Sequence, residues 1–559
     1  MQFIVFDFEV FAKDWLVVLK KGEEIKVIHN NVSLLRDYYE DNKNNIFVGF
    51  NNKHYDDYIF KGILSDLNPK KINDFIIYKK KFGWEYPGIN NIPIITLDIR
   101  QDITGALSLS LKEAEGNMGS SIEESNIDFN IERKLTNEEL ESTIKYCIHD
   151  VKSTEKILLE RKTDISTRLE LLKMFNLPIQ NIGKTNAKLT AGILQARKQA
   201  RNDELKYDFP NNLKIKNRKI LDLYDKIINY DDVLVTDINN VEHTLAYGGL
   251  HGAKKGIFEG NIWYVDVKSY YPTLMLKYDY ISRNLRDSRK YKEIYDLRME
   301  YKKKGDSKEG ALKLLLNTTY GAMKNKYNPL FDPKQANQVC ITGQLFLVDL
   351  LEKIEPYTEL LQSNTDGIIF ISNNDAKVKD LIDEWQNRTE LDFKILKVDK
   401  LWQKDVNNYI LKIGDYIETK GGYVKYFKGG SFRNNSATII DKAIVDYFVH
   451  NIPVEETINN SNNLIDFQYI CKKGPTYIHV EHNGKIINNC NRVFASKSKE
   501  VGKLYKVKEC GRKDSIANLP DNCIIVNEDL TQTTFNIKEV DKQWYIIKAT
   551  ERINDFLKE

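Results

Sequence analysis

The sequence predicts a multidomain chain in which an α/β unit is followed by an α+β region. Three observations predict it. Apolar, strand-like runs alternate with helical text over residues 1 to about 175. A strand, a turn and two charged helices follow between 261 and 325, and sheet-like text returns at Gly367 and continues to about 430. The 559 residues suffice for about three or four domains, and 42% hydrophobic residues supply several cores.

Strands are expected near Phe3 to Glu9, Ile46 to Phe50 and Ile94 to Leu97, leading into a long helix. Its start is marked by Thr136 with Glu139 three residues on, the reciprocal pattern of a capping box. Residues 176 to 260 are a polar connector, rich in Asn and Lys, that supports the next domain. Trp263-Tyr264-Val265 is an apolar strand ending at Asp266, and residues 288 to 325 form a helical hairpin broken at Gly305-Asp306. Gly367 to Ile371 restores a strand, and the C-terminal region is mixed and lysine-rich. No internal repeat or low-complexity tract stands out.

A net charge of +3, from 83 basic and 80 acidic residues, leaves any attraction for nucleic acid to local basic patches. Six cysteines (Cys147, Cys340, Cys471, Cys490, Cys510, Cys523) include no Cys-x-x-Cys pair, which argues against a disulfide framework and a zinc site and for reduced, structural thiols. The N-terminus MQFIVFDFEV carries an acidic pair where a signal peptide is basic and then apolar, and no apolar run reaches membrane-spanning length. The expectation is a cytoplasmic protein with no membrane partner.

Three short signatures carry chemistry. Asp266-Val267-Lys268-Ser269-Tyr270-Tyr271-Pro272 is followed by Lys313 to Gly321, with Asn317, Thr318 and Tyr320 inside it, and then by Ser363-Asn364-Thr365-Asp366-Gly367. Phosphoryl transfer to an incoming nucleotide uses two divalent cations, which two nearby carboxylates must share. Asp266 and Asp366 are the candidates, and the Val267 carbonyl can add an oxygen; short, rigid Asp suits the octahedral demand of magnesium. Lys313, Asn317 and Tyr320 fall on one helix face, where the lysine can neutralise triphosphate charge and Tyr320 can stack on the nascent base pair. Arg298 and Lys302, four apart, are either a solvated face or two further cations for the same triphosphate. Together these stretches read as a nucleotide-polymerising site.

A second acidic set lies upstream. Asp7 and Glu9 alternate on a strand and face the same way, Asp56 follows Asn52 and Tyr55, and Tyr146 and Asp150 share a helix face. Four carboxylates and a tyrosine can hold two metals and orient a water for phosphodiester hydrolysis.

These motifs resemble those of family B DNA polymerases, especially the bacteriophage members. The family's Asp-x-x-Ser-Leu-Tyr-Pro matches 266 to 272 with Tyr270 in place of leucine, and its Lys-x-x-x-Asn-Ser-x-Tyr-Gly matches 313 to 321 with Thr318 in place of serine. In its Tyr-x-Asp-Thr-Asp-Ser motif, Gln362, Asn364 and Gly367 replace Tyr, the first Asp and Ser, while the metal-binding second Asp is kept as Asp366. The acidic set from Asp7 to Asp150 resembles the family's three exonuclease motifs in their order.

The resemblance implies an RNase H-like 3′–5′ exonuclease domain (1–175) and a right-hand polymerase: connector and start of palm (176–260), palm (261–285), short fingers (286–325), palm (326–430) and thumb (431–559). It implies a proofreading DNA-dependent DNA polymerase that binds two Mg2+ or Mn2+ ions at each site, primer-template DNA and deoxynucleoside triphosphates. Asp7, Glu9, Asp56 and Asp150 would be metal ligands and Tyr146 would position the attacking water. Tyr271 would be a steric gate against ribose, with Ser269 and Tyr270 also at the nucleotide. Asn52 and Tyr55 would meet the single-stranded primer end. Tyr247-Gly248-Gly249 resembles a template-binding Tyr-x-Gly-Gly connector without its intervening residue. Tyr409, in Asn407-Asn408-Tyr409 near Lys404, stands roughly where a Lys-x-Tyr primer-binding element lies. Lys420-Gly421-Gly422, Lys425, Lys428-Gly429-Gly430 and the run Lys497, Lys499, Lys503, Lys506, Lys508 would meet backbone phosphates.

Fewer than fifty positions separate Asp266 from Lys313 and Gly321 from Asp366, which leaves no room for the extra subdomains of protein-primed relatives. The expectation is a compact, monomeric enzyme of limited processivity that uses no terminal protein and relies on a helicase or single-strand-binding protein. The chain begins directly at the exonuclease motifs, which implies phage or plasmid origin and action in the host bacterial cytoplasm. Two alternatives stand: an exonuclease whose polymerase half has decayed, motivated by Asn364 and Gly367, and a non-catalytic DNA-binding replication factor.

Overall fold

Strand β1 (Phe3–Val10) puts Phe6, Phe8 and Val10 into an aromatic core and Asp7 and Glu9 on the opposite face. That alternation organises the first unit of the protein. The computed structural model describes residues 2–89, 92–103, 109–225, 233–245, 248–424 and 435–558. Its contacts divide into two units, one of Met1–Thr185, Phe427–Thr438 and Asn462–Trp544, the other of Asn186–Tyr426, Ile439–Ser461 and Tyr545–Glu559.

In unit 1, β1 pairs antiparallel with β2 (Trp15–Lys21), which pairs with β3 (Glu24–His29), and parallel with β4 (Ile46–Gly49), which pairs with β5 (Thr96–Asp98). Helices α1 (Val32–Asn42), α2 (Asp56–Leu64) and α3 (Pro69–Ile77) cover the aromatic face, where Phe6, Phe8, Phe47 and Phe60 meet ring to ring. The acidic face receives α5 (Asn137–Glu160), against which α4 (Leu111–Asn117) packs. Thr136 caps α5 in the expected reciprocal arrangement with Glu139. Helix α6 (Lys162–Met174) and a 3-10 turn at Ile179–Gly183 extend the unit to residue 185, beyond the boundary expected near 175. There Gly183 touches β5 so closely that a Cβ would lie 2.3 Å from the Thr96 carbonyl oxygen.

The expected thumb, 431–559, is divided. Residues 462–544 belong to unit 1, where Tyr469–Lys472, Cys490–Ala495 and Cys523–Ile525 form a three-stranded sheet. Ile470 and Cys490 of that sheet pack on Ile122. The division arises because these strands bury their apolar side against α4 and its following loop rather than against the later helices.

Unit 2 contains α7 (Asn186–Ile193), α8 (Arg218–Asp225) and a nine-stranded antiparallel sheet. Its strands are β6 (Leu234–Ile238), β7 (Val241–Leu245), β8 (Leu250–Ala253), β9 (Gly256–Val267), β10 (Thr358–Ser363), β11 (Gly367–Ser372), β12 (Phe393–Asp405), β13 (Asn408–Ile413) and β14 (Tyr416–Lys420). The order β14-β13-β12-β9-β11-β10-β8-β7-β6 puts β9 between β11 and β12. The supposed connector thus supplies three strands. Between β9 and β10 the chain forms α9 (Tyr270–Lys277), α10 (Arg289–Lys304), α11 (Lys308–Lys324) and the almost wholly buried α12 (Pro333–Ile354). Gly305, at φ 65°, caps α10 in the left-handed conformation and turns the α10–α11 hairpin. Helix α13 (Asp375–Thr389) joins β11 to β12 and buries Trp385.

Candidate active sites

The first site lies at one end of β9. Asp266 faces Gly367 of β11 and Lys394 of β12 in register, and the Val267 N–H donates to the Asp366 carbonyl at 2.8 Å. The β10–β11 turn is closed by Asn364: its N–H donates to Gly367 O at 2.8 Å, and its side-chain oxygen accepts from the Thr365 N–H at 2.7 Å. Asp266, at the end of β9, and Asp366, in the β10–β11 turn, are thereby held as neighbours. Burial, then the Asp366 charge, push the Asp266 carboxyl up to about 6, and burial raises Asp366 as well.

Beyond Asp266, Ser269 adopts a left-handed conformation at φ 50° and ψ 43°, a costly geometry for a residue with a Cβ. It is held there because Arg298 Nη1 donates to its Oγ at 3.0 Å and the Lys268 N–H donates to Asp392 O at 2.8 Å. This kink opens a cleft of about 490 Å³ lined by Asp266, Asp366, Tyr271, Lys302, Lys313 and Asn317, among others. Lys313 and Asn317 are exposed on one face of α11, as their spacing predicts. The Tyr271 ring lies 4.4 Å from that of Tyr320.

Some expected residues have other tasks. Arg298 is buried and bound to Glu309 at 2.8 Å, so its charge is already paired, whereas Lys302 is exposed. Tyr270 is buried, and its hydroxyl donates to Gly343 O at 2.6 Å. Tyr409 is a buried member of the sheet core with Ile262, Leu401 and Leu411, not a surface contact for a primer. Lys420 is exposed on β14, and its charge offsets part of the upward shift of Asp266 and Asp366. Gly421, at φ 92°, runs so near the Asn407 carbonyl that a Cβ would lie 1.9 Å from it. Gly249 is also fixed by proximity, since a Cβ would lie 2.8 Å from both Thr365 Oγ1 and His251 Nε2. The Gly248 carbonyl accepts from the Cys340 thiol at 3.3 Å. Tyr247, Lys425, Lys428, Gly429 and Gly430 lie outside the described residues.

The second site is in unit 1. Asp7 and Glu9 of β1, Asp56 at the start of α2 and Asp150 of α5 converge, and the Phe8 N–H donates to Asp56 Oδ1 at 3.2 Å. Burial, then the neighbouring carboxylates, hold Asp7 well above the usual carboxylate range; burial, then Asp150 and Asp56, do the same for Glu9. Burial pushes Asp56 up to about 7 and Asp150 up to about 6. Burial and the Asp150, Glu9 and Asp7 charges raise the Tyr146 hydroxyl, so it stays protonated.

Four further residues enter this cluster without a sequence expectation. Lys112 pairs with Asp150, lies 3.1 Å from Glu115 Oε1 and sits 4.8 Å from the Tyr146 ring centre. Burial would lower its pKa, but Asp150 and Glu115 outweigh that and raise it. His149 Nε2 lies 3.2 Å from Glu115, and Cys147 Sγ lies 3.6 Å from Asp7 Oδ2. The capping box Ser110-x-x-Glu113 signals the helix that carries Lys112, but nothing local signals its partner 38 positions on. Asn52 is wholly buried, donating to Asp57 Oδ1 at 2.7 Å instead of presenting itself to a strand end, and the Tyr55 hydroxyl donates to Asn73 at 2.8 Å.

Both sites present hard oxygen donors whose pKa values are raised by burial and then by neighbouring carboxylates, a set of donors that fits divalent cations of the magnesium type. The expected basic run is partly spent: Lys503 pairs with Asp521, and Lys508 lies 2.9 Å from Asp514. Among the described residues no helix is long and apolar enough to cross a membrane.

No protein-family model and no curated protein sequence matches the chain. Among solved structures it is similar to the family B DNA polymerase from the hyperthermophilic archaeon Pyrobaculum calidifontis, at 11% identity and a TM-score of 0.44, covering 100% of this chain and 78% of that one. The roles of individual residues rest on their own geometry.

Proposed function

We propose that the protein is a template-directed DNA polymerase with a 3′–5′ exonuclease. The observation that carries it is the cleft at the end of β9, where Asp266 of β9 and Asp366 of the β10–β11 turn confront Lys302, Lys313 and Asn317 on a helical hairpin. In this reading the nine-stranded sheet is the palm and α10–α11 are the fingers. Asp266, Asp366 and the Val267 carbonyl hold Mg2+ or Mn2+, which would activate the primer 3′ oxygen and offset charge on the leaving pyrophosphate. Lys313 and Lys302 bind the triphosphate, Tyr271 excludes a ribose 2′ hydroxyl, and Tyr320 backs the Tyr271 ring.

In unit 1, Asp7, Glu9, Asp56 and Asp150 hold the exonuclease metals, and Tyr146 orients water on the scissile phosphate. Lys112 balances part of the carboxylate charge beside it. Of the two residues that motivate the decayed-polymerase alternative, Asn364 and Gly367, the first serves as a turn former through its bond from the Thr365 N–H. The short intervals around the hairpin motivate a compact enzyme without terminal-protein docking and of limited processivity.

The test is extension of a 5′-labelled primer on a template with magnesium, with and without the four deoxynucleotides. Growth with nucleotides and shortening without them is expected. Asp366→Ala should abolish growth alone, and Asp7→Ala shortening alone, each by about 10⁴-fold or more. Shortening under both conditions in the unaltered protein would return the polymerase half to the decayed reading. Product length from single binding events, with a DNA trap and no accessory protein, tests processivity.

A further inference from the structure

The end of α3 and the loop that follows it expose apolar and basic side chains together. Ile77, Tyr78, Phe82 and Trp84 are 44%, 59%, 61% and 55% exposed within eight residues. Between them stand Lys79, Lys80 and Lys81, all exposed and without an ion pair among the described residues. Residues 77–84 thus carry three cations, three aromatic rings and no anion. The Phe82 and Trp84 rings are nearly parallel, with centroids 5.8 Å apart and planes 14° apart.

The loop is pinned, so these rings are presented rather than loose. Gly83 between them is buried, and a Cβ there would lie 2.2 Å from the Tyr58 ring of α2, so only glycine lets the backbone press so closely. Glu85 accepts from the Phe82 N–H at 3.2 Å, and the Tyr78 hydroxyl donates to Asn130. Helix α3, from which the loop issues, is tied through Asn73 to Tyr55, the residue before Asp56. An exposed hydrophobic cluster costs solubility unless something covers it. Flat rings interleaved with lysines match a polynucleotide whose bases are unpaired: the rings stack on bases and the ammonium groups meet phosphates. A duplex hides its base faces, and residues 78–82 form no amphipathic helix of the kind that lies in a membrane interface.

We infer that residues 77–84 form a docking platform for single-stranded DNA, distinct from the acidic cluster of unit 1. The choice of DNA over RNA rests on the function proposed above. Binding itself does not.

The experiment uses the full chain in EDTA, so that no nuclease step intervenes. Oligothymidylate carrying 5-iodouracil is photocross-linked and the attached peptide identified, while fluorescence anisotropy follows affinity across a salt series. Cross-links to Tyr78, Phe82 or Trp84 are expected. The double variant F82A/W84A should bind about tenfold or more weakly, and K79Q/K80Q/K81Q should lower the salt slope by about 2, near 0.7 per phosphate. Cross-links found only elsewhere, or affinity and slope unchanged in both variants, overturn the platform. So does capture of phosphatidylserine vesicles that both variants lose while oligonucleotide binding persists, and so does tighter cross-linking of oligouridylate. If the chain neither extends nor shortens DNA yet cross-links as expected, the proposed function fails and the platform stands.

Discussion

Asp7, Glu9, Asp56 and Asp150 are all buried, and the cost of burying their charges, with repulsion from neighbouring carboxylates, should be visible in stability. Each titrates higher folded than unfolded, so between the unfolded Asp value of 3.8 and the folded Asp56 value of about 7 the native state holds the extra protons. Without divalent cations, stability conferred below pH 4 should therefore be lost as pH rises to about 7. Asp56 alone accounts for on the order of 4 kcal/mol. Asp56→Asn should raise the melting temperature of the metal-free protein at pH 8 and leave it nearly unchanged at pH 4. Added magnesium should stabilise the unaltered protein at pH 8 only; a pH-independent difference between the two proteins would refute the coupling. At the other site, Tyr271→Ala opens the space beside Tyr320. Discrimination against ribonucleotides, measured as a ratio of kcat/KM values, should fall by about 10–10²-fold.

Elements depend on close approaches that a single methyl disturbs. Gly249 abuts Thr365 in the β10–β11 turn, so Gly249→Ala should displace the Asp366 turn at a cost of about 1–3 kcal/mol. Primer extension should drop while shortening of single-stranded DNA is unchanged; equal loss of both would mean global unfolding. Elements also differ in how far the sequence announces them. The β1 alternation, the Thr136 cap and the Gly305 break are local signals, and all three appear in the structure. Strands β6 to β8 were hidden because they are short and flanked by Asn and Lys, so their apolar pattern is weak. The burial of Asn52 and Tyr409 depends on Asp57 and on the sheet core, and the pairing of Lys112 with Asp150 on two helices meeting. No spacing rule contains those meetings.

Across the whole of unit 1, one side chain joins segments far apart in sequence. Arg492 is fully buried and donates to the carbonyls of Gly116 (3.2 Å), Ser120 (2.7 Å), Val526 (3.2 Å) and Glu528 (2.6 Å) and to Gln468 Oε1 (2.8 Å). Burial lowers its pKa to about 10, still well above neutrality, so it remains charged. Arg492→Ala leaves these acceptors without a donor and should cost about 3 kcal/mol or more in a denaturant titration. Arg492→Lys should recover only part of it, since an ammonium cannot reproduce the planar fork. A fragment ending at residue 185 should expose Ile122 and aggregate, and a soluble, cooperatively melting fragment would contradict this.

The same interleaving sets a timetable for biosynthesis. When residue 185 leaves the ribosome, the partners of Gly116, Ser120 and Ile122 have not been made, and the last of unit 1 follows about 360 residues later. At about 5–20 residues per second that interval is roughly 20–70 s. Throughout it α4 and the loop after it carry an uncovered apolar face, so the protein's yield should respond to translation speed and to chaperones that hold nascent chains.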